Sequence, residues 1–291
     1  MAVIELRVPL PAGSAAAVAE TLAEAGEEIL MVLEDQPSGA AWLTGYFASK
    51  GEALAAWSRV AGLIPEGAAA GMPELREMPD ADWKESYKAH FKPWRFGPLH
   101  WVPVWEKETY RAPAGDSVIW LDPGMAFGTG NHETTRLCCE RLVDFAAAHG
   151  TGADVIDAGC GSGILALSAA RLGFKRVVAF DLDPVAIEVS RENVKLNGLQ
   201  GGVEFLVGDL KSGLAGRRAG LVLANIQADV LACHARELAG AVAPGGQLVL
   251  SGILAGDLDA VRRAFEPFAW SGPAQSRAMG EWRDLAFTRP A

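Results

Sequence analysis

Cysteine and histidine are scarce in this chain, with four and five copies respectively in 291 residues. Cys138, Cys139, Cys160 and Cys233 form no C-x-x-C pair and have no histidine at metal spacing, which argues against a zinc module or a disulfide framework. Reduced thiols packed in a core are expected. No apolar run approaches the roughly 18 residues of a membrane span. The first dozen residues carry Glu5, Arg7, Pro9 and Pro11 where a signal peptide would have its apolar core. The expectation is a cytoplasmic protein with no membrane partner. Basic side chains are the minority, 26 against 36 acidic ones, for a net charge of −10. Affinity for a nucleic-acid backbone comes from lysine and arginine displacing counterions, so no direct nucleic-acid binding is expected.

Half of the residues are apolar, and the length is comfortable for two domains. Residues 1–78 hold 4 basic and 11 acidic side chains, so most of the negative charge sits in the first quarter. Two readings fit: a solvated acidic surface, or a docking surface for a basic partner. In this stretch Val3 to Val8 alternates as a strand does, and Ser14 to Ala25 is alanine-rich and helical. Strand patterns follow at Glu28 to Leu33 and Ala41 to Phe47, then a helix from Glu52 to Val60 and a closing strand from Pro73 to Met78. The order βαββαβ predicts a small ferredoxin-like domain. It contains no paired acid and base and no glycine cradle.

Residues 79–98 form an aromatic and basic connector. Trp83, Tyr87 and Phe91 fall at i, i+4 and i+8, the spacing of one helix stripe. Lysines between them would suit single-stranded nucleic acid, but the acidic domain alongside argues against it. Beyond the strand patterns at Leu99 to Trp105 and Ser117 to Leu121 comes Asp122-Pro123-Gly124-Met125-Ala126-Phe127-Gly128-Thr129-Gly130-Asn131, leading into a helix from Thr135 to Ala148. So many turn formers predict an ordered loop whose backbone comes close to a ligand, with Phe127 as an exposed aromatic that no core requires.

Asp154 to Pro184 organises residues 99–291. A short apolar strand, Val155-Ile156, runs directly into glycines at 159, 161 and 163. A helical pattern from Ile164 to Arg171 follows, and a second strand ends at Asp181. This is a βαβ unit: the glycines let a ligand approach the backbone, and a carboxylate about 20 residues on can accept from ribose hydroxyls. The glycines also satisfy the dinucleotide fingerprint, so an NAD-dependent enzyme is one alternative. Asp157 favours another ligand, since a carboxylate there repels a pyrophosphate and suits the cationic amine and sulfonium of S-adenosylmethionine. Further strands end at Asp209, at Asn225 and at Ser251-Gly252, and a tail from Phe268 to Phe287 is expected to add an antiparallel pair. The fold class is therefore α/β: a Rossmann-like, doubly wound sheet with the polar residues of four strand ends gathered at one crevice, preceded by the smaller α+β domain.

These motifs, with Arg95-Phe96-Gly97, Ala224-Asn225-Ile226 and Glu281-Trp282, resemble the PrmA family, bacterial methyltransferases of large-ribosomal-subunit protein L-eleven. The resemblance implies an S-adenosylmethionine-dependent protein-lysine methyltransferase. Its substrate would be a basic ribosomal protein, modified on lysine side chains and at the N-terminal amine. Positions matching Thr135, Gly159, Asp181 and Asn225 hold the cofactor in that family; Phe127, Asp157 and Gly161 join them here from the motif reading. Methyl transfer needs an aligned, neutral amine and no nucleophilic side chain, since the activated methyl belongs to the cofactor. Asn225 is the candidate to orient the amine, with cofactor binding alone as its other reading. His132 is explained equally by proton acceptance and by helix capping. Two other readings keep the cofactor: a methyltransferase of another protein lysine, such as an electron-transfer flavoprotein subunit, and a module that binds S-adenosylmethionine without turnover.

Overall fold

The computed structural model describes residues 3–24, 30–35, 40–47, 49–64, 72–78, 92–121 and 132–291. The chain divides into two units, Met1–Phe91 and Lys92–Ala291. In the first, β1 (Val3–Leu10), β2 (Met31–Asp35), β3 (Ala40–Phe47) and β4 (Glu74–Met78) form an antiparallel sheet in the order β2-β3-β1-β4. Helices α1 (Ala15–Glu24) and α2 (Lys50–Val60) complete the ferredoxin-like βαββαβ order. Strand alternation explains the packing. Ile4, Leu6, Val8 and Leu10 are buried while Glu5 and Arg7 face outward, and Ala53, Ala56 and Val60 of α2 join the same core. Ser49 caps α2, accepting from the Glu52 amide at 3.2 Å.

The second unit begins with a three-stranded sheet, β5 (Trp94–Phe96), β6 (Leu99–Pro103) and β7 (Ser117–Leu121), in which β6 and β7 run parallel. Trp94–Phe96, within the span expected as connector, is therefore a strand; residues 79–91 lie outside the described residues. Three side-chain bonds tie this sheet to the rest of the unit: Trp101 Nε1 donates to Ser168 Oγ at 2.8 Å, and Asn197 accepts from the Trp120 amide through Oδ1 at 2.7 Å and donates through Nδ2 to the Trp120 carbonyl at 2.9 Å.

The main sheet is mixed, in the order β10-β9-β8-β11-β12-β14-β13. Strands β8 (Val155–Ala158), β9 (Val177–Asp181), β10 (Glu204–Val207), β11 (Ala219–Asn225) and β12 (Val242–Leu254) are parallel. β13 (Ala278–Met279) and β14 (Trp282–Thr288) supply the antiparallel edge. Helices α3 (Glu133–His149), α4 (Ile164–Leu172), α5 (Pro184–Leu196), α6 (Leu210–Leu214), α7 (Ala228–Cys233), α8 (Ala235–Gly240) and α9 (Leu258–Phe265) connect the strands. Separate buried clusters form around the two faces, one including Leu142, Ile164 and Leu167, the other Leu238, Val261 and Phe265. Helices α7 and α8 are separated at His234, whose backbone leaves helical geometry (φ −105°, ψ 23°). Of the cysteines, Cys138, Cys139 and Cys160 are buried as expected, whereas Cys233 is exposed.

Order reverses between β8 and β11, which leave in opposite lateral directions and open a crevice beyond their carboxyl ends. No helix among the described residues is long and apolar enough to cross a membrane.

Candidate functional site

The turn after β8 is held by backbone bonds. The amides of Gly159 and Cys160 both donate to Phe180 O, at 2.9 and 3.0 Å, and Gly163 N–H donates to Cys160 O at 2.8 Å. Gly159 and Gly161 take positive φ, 73° and 52°. A Cβ on Gly159 would lie 2.5 Å from Ile226 Cγ2, so both its backbone angle and the approach of Ile226 demand glycine. β12 carries a bulge between Leu250 and Ile253, where Gly252 (φ 84°) passes against the Ile226 carbonyl with no room for a side chain.

Two adjoining hollows open over this turn. One, of about 300 Å³, is lined by His132, Thr134, Thr135, Gly159, Gly161, Ile164, Asn225, Gln227 and Trp282 among others. The second, of about 380 Å³, is lined by Phe180, Asp181, Leu182, Asp209, Val230 and His234, and shares Gly159, Ile226 and Gln227 with the first. The residues singled out from sequence therefore separate into groups. Thr135, Gly159, Gly161 and Asn225 share the first hollow, and Asp181 stands in the second. Phe127 lies outside the described residues.

Asp157 is placed differently from a wall residue: it is 1 % exposed and lines neither hollow. Its Oδ2 accepts from the Ala166 amide at 3.0 Å, pinning the first turn of α4 beneath the glycines. Burial pushes its carboxyl up to about 7; the Ala166 bond opposes the shift and the Asp181 charge adds to it.

Asp181 closes β9 with each oxygen accepting one backbone amide, Gly161 N–H on Oδ2 at 2.8 Å and Asp183 N–H on Oδ1 at 3.0 Å. A carboxylate offers about four lone-pair sites, so two stay open among the described residues for hydroxyl donors. Asn225, last in β11 and part of the lining of the first hollow, gives its Nδ2 to Thr135 Oγ1 at 3.2 Å, which leaves Oδ1 as an acceptor with no partner among the described residues. Thr135 is held in turn by the start of α3: Ser251 Oγ donates to Thr134 O at 2.9 Å, and His132 caps the helix by accepting from the Thr134 amide.

That cap decides how His132 behaves. Its Nδ1 accepts the amide and lies 2.8 Å from Thr134 Oγ1, so the neutral ring carries its proton on Nε2. Burial lowers its pKa and favours this neutral form. A ring with Nδ1 engaged and Nε2 protonated donates a hydrogen bond; it has no free nitrogen to receive a proton. Trp282, 4.9 Å away edge-on, completes this wall. Gln227 and Trp282 were not singled out for roles from sequence. The available signals were Gln227 two residues past the strand-ending Asn225, and a tryptophan two residues beyond the turn glycine Gly280.

No group of three or more His, Cys, Asp or Glu among the described residues is arranged to hold a metal ion. The crevice has hydroxyl acceptors, an apolar flank and a backbone that a ligand can touch.

Comparison with known proteins places this geometry in context. The family model described as "Ribosomal protein L11 methyltransferase (PrmA)" matches residues 10–290. A ribosomal protein L11 methyltransferase of Pelotomaculum thermopropionicum is 48 % identical over 196 residues, 67 % of this chain and 61 % of that relative. One from Trichlorobacter lovleyi is 44 % identical over 232 residues, 78 % of this chain and 73 % of the relative. The crystal structure of a ribosomal protein L11 methylase from Lactobacillus delbrueckii subsp. bulgaricus superposes with a TM-score of 0.60 at 31 % identity, covering 69 % of this chain and all of that one. The match thus spans less than two thirds of the Pelotomaculum relative's own length.

Proposed function

Because the chain belongs to the ribosomal protein L11 methyltransferase (PrmA) family, we propose that it transfers methyl groups from S-adenosylmethionine to amines of ribosomal protein L11, on lysine side chains and at the N-terminus. The observation that carries this reading is the pairing across the crevice: Asp181, with two lone-pair sites open, in one hollow, and Asn225, with Oδ1 free, in the adjoining one.

The residues present fit the cofactor. Asp181 would accept from the ribose hydroxyls, the Gly159–Gly161 turn would lie against the donor's backbone-like methionine part, and Phe180, Leu182 and Val230 supply an apolar flank for the base. The cofactor supplies the activated methyl. The protein's own task is to bring a neutral nitrogen into line with it, and positioning of that kind accounts for a large share of rate in such displacements. Lysine has an ordinary pKa of about 10.4 and must arrive deprotonated. A partly apolar hollow disfavours the ammonium form, and Asn225 Oδ1 would accept an N–H of the neutral amine and aim its lone pair. His132, with its proton on Nε2, serves as a donor in this wall. Thr135 fixes Asn225, and Phe127 is retained as a proposed cofactor contact from the loop before α3. Asp157 acts from below by holding α4 and the turn in place.

The test is incubation of the full chain with purified ribosomal protein L11 and S-adenosylmethionine, followed by intact mass measurement. Gains in steps of one methyl are expected for the wild type, with Asn225→Ala reducing turnover by about 100-fold or more, the scale of losing an orienting group. An unchanged mass with the wild-type chain contradicts the proposal, and full turnover by Asn225→Ala removes that residue from its role.

A further inference from the structure

The amino ends of the strands carry a feature that methyl transfer does not use. Lys175 and Arg176 precede β9, and Arg217 and Arg218 precede β11. With Lys211 on α6 and Arg236 on α8 they border two hollows at the end of the sheet opposite the crevice. One hollow, of about 410 Å³, carries Lys175, Arg176, Arg217 and Arg218; the other, of about 450 Å³, carries Lys211, Arg217, Arg218 and Arg236. Three carboxylates line the two hollows, and a fourth, Asp209 at the N-cap of α6, interacts electrostatically with Lys211. Asp154 is taken by Arg176 at 2.7 Å, Glu204 lies 4.0 Å from Arg217, and Glu237 lies 3.8 Å from His234. Lys175, Lys211, Arg218 and Arg236 are all exposed, and their side chains have no ion pair or hydrogen bond with the described residues. Residues 92–291 hold 20 basic and 22 acidic side chains, so this cationic end stands against the balance of its own unit.

A single small anion needs donors that converge. These cations are instead distributed, Lys175 on one hollow, Lys211 and Arg236 on the next, with Arg217 and Arg218 common to both. A polyanion long enough to reach both hollows can meet these cations together, and guanidinium groups bind phosphate through two parallel N–H donors. We propose that this end of the sheet is a docking surface for the phosphate backbone of RNA. The choice of RNA over other polyphosphates rests on the ribosomal-substrate reading above; the cationic surface itself does not. The overall charge of −10 does not oppose it, because local potential is set by nearby charges once distant ones are screened.

Titrating the full chain into a fluorescein-labelled RNA hairpin, read by anisotropy, tests the proposal. Four free cations, at about 0.7 to 0.9 counterions each, give a slope of about −3 in log affinity against log salt, so a fourfold rise in salt should weaken binding about 60-fold. The double variant Lys175→Glu/Arg218→Glu, altered only at exposed positions, should bind at least about tenfold more weakly at low salt. Both proteins should methylate free ribosomal protein L11 alike. No binding by the wild type at low salt, equal binding by the double variant, or equally tight binding of an acidic polypeptide in place of the hairpin would each overturn the RNA surface. Absence of methylation by the wild type alongside salt-dependent hairpin binding would instead strike the activity reading and leave the cationic docking surface standing.

Discussion

Asp157 shows how one residue can be found for one reason and placed for another. Its carboxylate two positions before the glycines suggested direct attraction of a cationic donor, yet the structure turns it inward onto the Ala166 amide. The spacing was legible; the direction of the side chain was not, because it depends on where α4 starts relative to β8. Its burial has a measurable consequence. The folded value of about 7 lies above the ordinary 3.8, so folding favours the protonated form. This stabilising contribution is fully present below about 3.8 and is lost as pH rises through about 7. Asp157→Asn keeps the shape and removes the titration. The unfolding free energy of the wild type, from urea titration, should fall by about 2.5 kcal/mol relative to that of the variant between pH 5 and pH 8. Parallel curves for the two proteins would show that Asp157 is not the buried acid described here.

At the scale of elements, the strand ends were readable because each finishes in a polar residue after an apolar run: Asp181 on β9, Asn225 on β11, and Asp209 just past β10. Helix α9 was missed although Leu258, Val261 and Phe265 sit at i, i+3 and i+7, since Asp259, Arg262 and Arg263 interrupt the apolar signal. The break at His234 has no glycine or proline to announce it. The tie between α3 and β14 was equally hidden, its partners being 143 positions apart. Arg141, 5 % exposed, donates through Nε and Nη2 to the two oxygens of the fully buried Asp284 at 2.7 and 2.9 Å, and through Nη1 to Gln275. This pair joins the helix capped by His132 and carrying Thr135 to the strand that begins at Trp282, two walls of one hollow. Removing one partner strands a buried charge. Arg141→Met should cost about 3 to 5 kcal/mol in urea unfolding, and Arg141→Met/Asp284→Leu should recover most of it. If the double variant is no more stable than the single one, the loss comes from packing and not from the unpaired carboxylate.

For the whole molecule, the order of elements was enough to foresee a small βαββαβ unit followed by a doubly wound sheet, because alternation of strand and helix leaves few right-handed topologies. Net charge was a poorer guide. A single total of −10 conceals an acidic front and a cationic end of the sheet, and only the fold shows that Lys175, Arg218 and Arg236, separated in sequence, border neighbouring hollows. The glycine-rich loop at 122–131 and the aromatic stretch at 79–91 fall outside the described residues, so their sequence-based roles stand as proposals. The central claim is that the crevice between β8 and β11 holds S-adenosylmethionine through Asp181. Calorimetric titration of S-adenosylhomocysteine into the wild-type chain and into Asp181→Ala tests it most directly. Saturable one-site binding by the wild type, weakened at least about 100-fold in a variant with unchanged circular dichroism, is the predicted result, as expected when two charge-assisted hydrogen bonds are lost. Absence of binding by the wild type, or equal affinity in the variant, would contradict it.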